Sequence, residues 1–180
     1  MNHIKKTNFK KSNLIIVISI VILIVAIAIL SLINRNMMRL PDSGDGLLLF
    51  SGNKTIKEYT LNDIKNLPHI DVTKSIASGK HEDESGVFTG VPLETLLSDA
   101  ASDWQGKYTE FIFKAEDGFT SSAFASDIEK GENVLVVYAK DGKPLKTKAD
   151  GGNGPLRIVI VQDEFGNRST YYLKSIELKK

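Results

Sequence analysis

The chain has 180 residues, with 23 Lys+Arg, 22 Asp+Glu, three His and no Cys. Without a thiol it can form no disulfide, zinc–thiolate site, Fe–S cluster, c-type haem attachment, Cys nucleophile or lipid anchor on Cys. The net charge of +1 is unevenly spread: residues 1–33 carry four Lys and no acid, leaving 19 basic and 22 acidic side chains for the rest. That balance excludes nucleic acid as the expected partner, because phosphate binding needs a basic face.

Leu14 to Ile33 reads LIIVISIVILIVAIAILSLI, apolar except for two Ser. As a helix it spans about 30 Å, the thickness of a bilayer core. Lys5, Lys6, Lys10 and Lys11 precede it, while Arg35 and Arg39 follow. The larger basic cluster is expected to stay in the cytoplasm. The expected organisation is a cytoplasmic basic tail at 1–13, a transmembrane anchor at 14–33, a linker at 34–46 and an extracytoplasmic domain at 47–180. A cleaved signal peptide is the rival reading, but this apolar run is longer than a signal core, and Ala26-Ile27-Ala28 lies inside it. No charge interrupts the span, so it reads as an anchor rather than an ion path.

In the domain, Thr55 to Tyr59 reads as a strand. Thr60-Leu61-Asn62-Asp63 outlines a capping box that opens a helical turn closed by Pro68. Ile70, Val72, Lys74 and Ile76 alternate as on a half-buried strand. Pro92 to Ala100 reads as a helix with Leu93, Leu96 and Leu97 on one face. Tyr108 to Ala115 reads as a strand, and Ser122 to Lys130 as a helix stopped by Gly131. Val134 to Tyr138 and Lys143 to Leu145 flank Asp141-Gly142 as a hairpin. Leu156 to Val161 and Ser169 to Leu178 are expected to form a second hairpin. The sum is a β-rich, mixed-sheet α+β domain.

Common catalytic patterns are missing. Gly151-Gly152-Asn153-Gly154 is followed by Pro155 and a strand, whereas a phosphate loop opens a helix, so a flexible connection competes with an anion site. His81-Glu82-Asp83-Glu84 offers oxygens for a hard cation or, equally, solvated loop acids. Asp117 to Ala123 places hydroxyls after a turn and faintly matches a covalent FMN attachment motif, though Phe124 breaks the match.

Several segments, in order, resemble the molybdopterin-binding oxidoreductase domain of sulfite oxidase type. They are Tyr59 to Pro68, Phe88-Thr89-Gly90-Val91-Pro92-Leu93 through Leu97, Ala115-Glu116-Asp117-Gly118-Phe119, Val136 to Leu145, Gly152-Asn153-Gly154-Pro155-Leu156-Arg157 through Ile160, and Leu173 to Leu178. The resemblance implies that family's fold and a molybdopterin cofactor. In the family a Cys thiolate after the second strand binds molybdenum; here Ser78 falls at that position, and a Ser hydroxyl is a harder ligand with a much higher pKa.

By the same resemblance, Ser78, Lys80, His81, Thr120 and Arg157 are the expected cofactor-binding residues. Lys80 and Arg157 would pair with phosphate, His81 would donate a hydrogen bond and Thr120 would orient the ligand. The competing readings are a solvated lysine, an exposed histidine, a turn hydroxyl and an outward-facing arginine in a surface ion pair. Three functions stay open: a pterin or other anion binder without molybdenum redox, an active oxidoreductase with a non-Cys ligand and an envelope electron-transfer partner, or a ligand-free interaction or sensor domain.

Overall fold

The computed structural model describes residues 5–37, 46–77 and 83–180. The chain divides into two units, Met1–Leu40 and Pro41–Lys180.

In the first unit, α1 runs through Lys5–Met37. Its large apolar side chains at Leu14 and from Ile16 to Leu30 are bare, from 50% exposed at Ile18 to 65% at Leu30. They are apolar on every face rather than on one stripe. Among the described residues no helix is long and apolar enough to cross a membrane. Beyond Leu14, side chains of α1 are described for 16–31, a rise of about 24 Å against a bilayer core of about 30 Å.

The second unit holds two five-stranded sheets. The first pairs β1 (Leu47–Ser51), β2 (Lys54–Tyr59), β5 (Glu110–Ala115), β6 (Thr120–Phe124) and β10 (Leu173–Lys179) in the order β2-β1-β10-β5-β6. Only β1 and β10 are parallel. The second orders β3 (Ile70–Ile76), β4 (Glu84–Pro92), β7 (Val134–Lys140) and β8 (Lys143–Pro144), with β9 (Arg157–Ile160) also on β7. Three short helices connect them: α2 (Leu61–Asn66), α3 (Leu93–Ala100) and α4 (Ala125–Ile128).

Local chemistry accounts for several of these boundaries. Thr60 Oγ1 accepts from Asp63 N at 3.1 Å, and Thr60 N donates to Asp63 Oδ2 at 2.8 Å, a complete capping box. The Asp141-Gly142 turn has φ of 51° and 71°, the geometry that matches the twist of a tight hairpin. On α3, Leu93, Leu96 and Leu97 are fully buried.

Strand β7 is the continuous apolar run that marks a strand covered on both faces. Val134, Val136 and Tyr138 enter the main core with Leu47, Leu49, Phe111, Phe113 and Trp104, while Leu135 and Val137 enter a smaller core with Ile76, Phe88 and Val159. Trp104, which carries no recognisable motif, proves to be a core plug. It stacks edge-on against Phe111 at 5.8 Å and donates Nε1–H to Ser98 Oγ at 3.3 Å.

Two expectations fail. The helix expected from Ser122 to Lys130 is cut short at its start: Thr120 to Phe124 pairs with β5 as a strand, which buries Ala123, and only Ala125–Ile128 is helical. The expected hairpin of 156–161 with 169–178 does not form, because β9 pairs with β7 and β10 with β1 and β5. In addition, Glu84–Pro92, not recognised as a strand from sequence, pairs with β3 and β7 as β4.

Gly90 makes that last pairing possible. A Cβ there would lie 2.7 Å from the Val136 carbonyl oxygen and 2.9 Å from Val137 Cα. Gly90→Ala is expected to cost about 1–3 kcal/mol through this overpacking, read as a lower midpoint with unchanged slope in urea unfolding of the full chain.

Candidate functional site

One group of charged side chains in the second sheet gathers around a buried arginine, with half-buried Glu84 on β4 and Lys140 on β7. Arg157 stands on β9 in register with Val137, and its side chain is fully buried. Its Nη1 donates to both oxygens of Glu84, at 3.1 and 2.9 Å. Lys140 Nζ donates to Glu84 Oε1 at 3.1 Å. The guanidinium carbon lies over the Tyr171 ring at 4.4 Å and over Phe88 at 5.3 Å. Burial by itself would raise the Glu84 carboxyl, but Arg157 and Lys140 outweigh it and hold the group below the ordinary Glu range. The remaining edge of the guanidinium, Nε and Nη2, is buried and has no hydrogen-bond partner among the described residues.

A second arginine gives the comparison. Arg168 directs the same Nε and Nη2 edge at Asp163, at 2.8 and 2.5 Å, and its Nη1 at Asp127 Oδ2, at 2.8 Å. Arg168 is thus satisfied on both sides, whereas Arg157 is satisfied on one.

Of the residues expected at a cofactor site, Arg157 is buried, not outward-facing, and its ion pair is internal rather than on the surface. Thr120 opens β6, is exposed, and places Oγ1 3.5 Å from the Gly118 carbonyl. No hydrogen bond or ring contact joins it to Arg157 among the described residues, so it behaves as a turn hydroxyl. Ser78, Lys80 and His81 lie outside the described residues. Glu84, Lys140, Phe88 and Tyr171 are the site members that sequence reasoning missed. Glu84 was visible only as one acid in a polar cluster, and the solvated-acid reading does not hold for it.

The other motifs resolve into structure. The Gly151–Gly154 loop is pinned by its own amides: Gly151 N to Lys148 O, Gly152 N to Thr147 O and Gly154 N to Lys146 O, at 3.1, 2.9 and 2.8 Å. Those amides are therefore not free to cradle a phosphate, and the connection is tied down rather than flexible. In the Asp117–Ala123 segment, Ser121 Oγ bonds with Arg168 O and Thr170 Oγ1, at 2.9 and 2.6 Å. Among the described residues no group of three or more His, Cys, Asp or Glu is placed to hold a metal ion. Of two surface cavities among the described residues, one of about 680 Å³ is lined by other residues, while one of about 330 Å³ is lined by Lys140 of this group with Lys143 and Lys146 beside the glycine loop.

Two sheets joined by short helices, with a buried arginine at the start of β9, make a mixed-sheet α+β domain. A family model, the oxidoreductase molybdopterin binding domain, matches residues 48–180, and the chain belongs to that family. The fold is similar to the sulfane dehydrogenase SoxCD from Paracoccus pantotrophus, with a TM-score of 0.62 and 16% identity. The match covers 79% of this chain and 40% of that one, so this chain spans well under half of that protein's length. Comparison with curated proteins gives no match.

The family implies molybdopterin, and the residues present fit only part of it. A molybdenum centre of this type takes a soft thiolate, and the sequence has no Cys. The open Nε/Nη2 edge of Arg157 does fit an oxyanion.

Proposed function

We propose that this protein is a membrane-anchored, extracytoplasmic member of the family that binds an anionic ligand, pterin-type or another, at Arg157 and does not carry out molybdenum redox of sulfite-oxidase type. One observation carries the reading: a fully buried arginine whose bidentate edge is unpartnered among the described residues. A buried unpaired donor on a cation is costly, and an anion in contact with it offsets that cost. Arg157 holds the anion, Glu84 and Lys140 fix the guanidinium in place, and Phe88 and Tyr171 exclude water around it. In this reading Lys80 and His81, which precede Glu84 in the sequence, add a cation and a hydrogen-bond donor for the ligand, and Ser78 supplies no thiolate. When bound, a molybdenum cofactor supplies oxygen-atom or electron transfer; the donor set here supports no such step.

The anchor rests on the apolar sequence of Leu14 to Ile33 and on the bare apolar side chains described on α1 at Leu14 and from Ile16 to Leu30. A helix satisfies its backbone internally, as a lipid environment demands, and the basic N-terminal tail orients it. Proteinase K added to intact spheroplasts is expected to degrade the 47–180 domain; protection of the domain until lysis would reverse the orientation.

For the ligand, the full chain is purified from its source organism. Mo is measured by mass spectrometry and oxidised pterin by fluorescence. The expected result is Mo far below one per chain. Stoichiometric Mo would overturn the non-redox reading and make Ser78→Ala the next variant. It would also call for an electron-transfer partner in the membrane or envelope.

A further inference from the structure

We infer that the group bound at Arg157 is a planar carboxylate-type monoanion rather than a phosphate. The inference rests on Arg157 being an anion site, as proposed above, and narrows the ligand's chemistry. Three observations carry it.

The first is donor count and shape. Arg157 Nη1 and Lys140 Nζ are engaged with Glu84, so the guanidinium offers two in-plane donors, Nε and Nη2. The chain already shows what fills such an edge: at Arg168 the same two nitrogens hold the two oxygens of one carboxylate, Asp163. One such edge takes the two oxygens of a planar group side by side.

The second is charge. Arg157 and Lys140 bring two positive charges and Glu84 one negative, with contacts of 2.9–3.1 Å. Among the described residues the group keeps a single net positive charge, which one monoanion neutralises. A phosphate monoester, near −2 at neutral pH, would leave a buried charge uncompensated.

The third is the surroundings. The guanidinium lies over the Phe88 and Tyr171 rings, which offer apolar faces. A tetrahedral phosphate would turn further oxygens out of the guanidinium plane toward those ring faces, which carry no donors, and unpaired oxygens there are penalised. A carboxylate keeps both oxygens in the guanidinium plane. Its source is either a small acid or the carboxylate end of a larger molecule, and the chemistry at Arg157 is common to both.

The test titrates the full chain, in detergent and dialysed into chloride, with sodium formate, sodium acetate or sodium phosphate at fixed ionic strength. Thermal unfolding and the Arg157 Nε–H resonance of ¹⁵N-arginine-labelled protein are followed. Formate or acetate is expected to raise Tm along a saturating curve and to shift that resonance, with phosphate giving less than a tenth of the effect. Arg157→Lys, which keeps the charge but not the fork, is expected to abolish the saturating shift. Should that variant fail to fold, the wild-type resonance still decides the matter. Phosphate or a pterin phosphate binding as well as acetate would overturn the carboxylate assignment and leave Arg157 an anion site. No shift with any of the anions would overturn both.

Discussion

Glu84→Ala is expected to destabilise the domain by about 3–5 kcal/mol, the usual consequence of leaving a buried charge without its partner. For a domain of this size that lowers Tm by roughly 10 °C or more, readable by circular dichroism on the full chain. The loss arises because Arg157 is fully buried and Glu84 is its only ionic partner among the described residues. The double variant Glu84→Ala/Arg157→Met is expected to be more stable than Glu84→Ala alone, since it removes the stranded charge and fills its space with an apolar chain. A double variant as unstable as the single one would show that packing around β9, not charge, sets the effect.

The pH dependence carries the same signature. The folded carboxyl of Glu84 titrates below its unfolded value. Its contribution is therefore complete above the ordinary Glu pKa of about 4.3 and is lost as the pH falls through the folded value. Asp127 is also lowered: burial opposes this, and Arg168 with the Phe124 amide outweighs it. Glu177 follows the same rule, burial being outweighed by Lys114 and Lys179. Wild-type Tm is thus expected to stay flat from pH 7 to about 5 and to decline below, less steeply in Glu84→Ala.

The second large effect is in the main core. Phe111→Ala is expected to cost about 3–5 kcal/mol, because the ring is fully buried on β5 and supports Trp104 edge-on at 5.8 Å. Phe124→Ala, on the neighbouring strand but 58% exposed, is expected to stay within about 0.5 kcal/mol of wild type. Urea midpoints of the two variants check the placement of the first sheet: equal losses would mean that β5 does not face the core as described.

How much of this was legible in the sequence follows from the range of each interaction. The Thr60–Asp63 cap and the Asp141-Gly142 turn are made within four residues, and both were readable. So was β7 as a hairpin strand at Val134–Tyr138, while its burial on both faces came only with the structure. Ser122 to Lys130 misled because its local preference is weak, and pairing with β5 decided the state of its first residues, a tertiary override of propensity. The 156–178 hairpin misled because adjacency in sequence is only a tendency; β10 lies between β1 and β5 instead. Arg157 was picked out through family likeness, but its partner Glu84 lies 73 residues away, and no local pattern links them. Lys140, Phe88 and Tyr171 were hidden for the same reason.

The place of β10 has a consequence for how the domain comes into being. It is the middle strand of its sheet, with the β1–β2 pair on one side and the β5–β6 pair on the other. During synthesis those two hairpins emerge first and wait, each with an open edge, until Leu173–Lys179 arrives between them. Closure then joins residues more than a hundred positions apart, as in the pairing of Leu48 with Ser175. Such long-range pairing is intrinsically slow, and the waiting edges are surfaces on which a growing chain pairs with the wrong neighbour. For such a domain, keeping those edges apart until β10 arrives matters more than the speed of any single local turn.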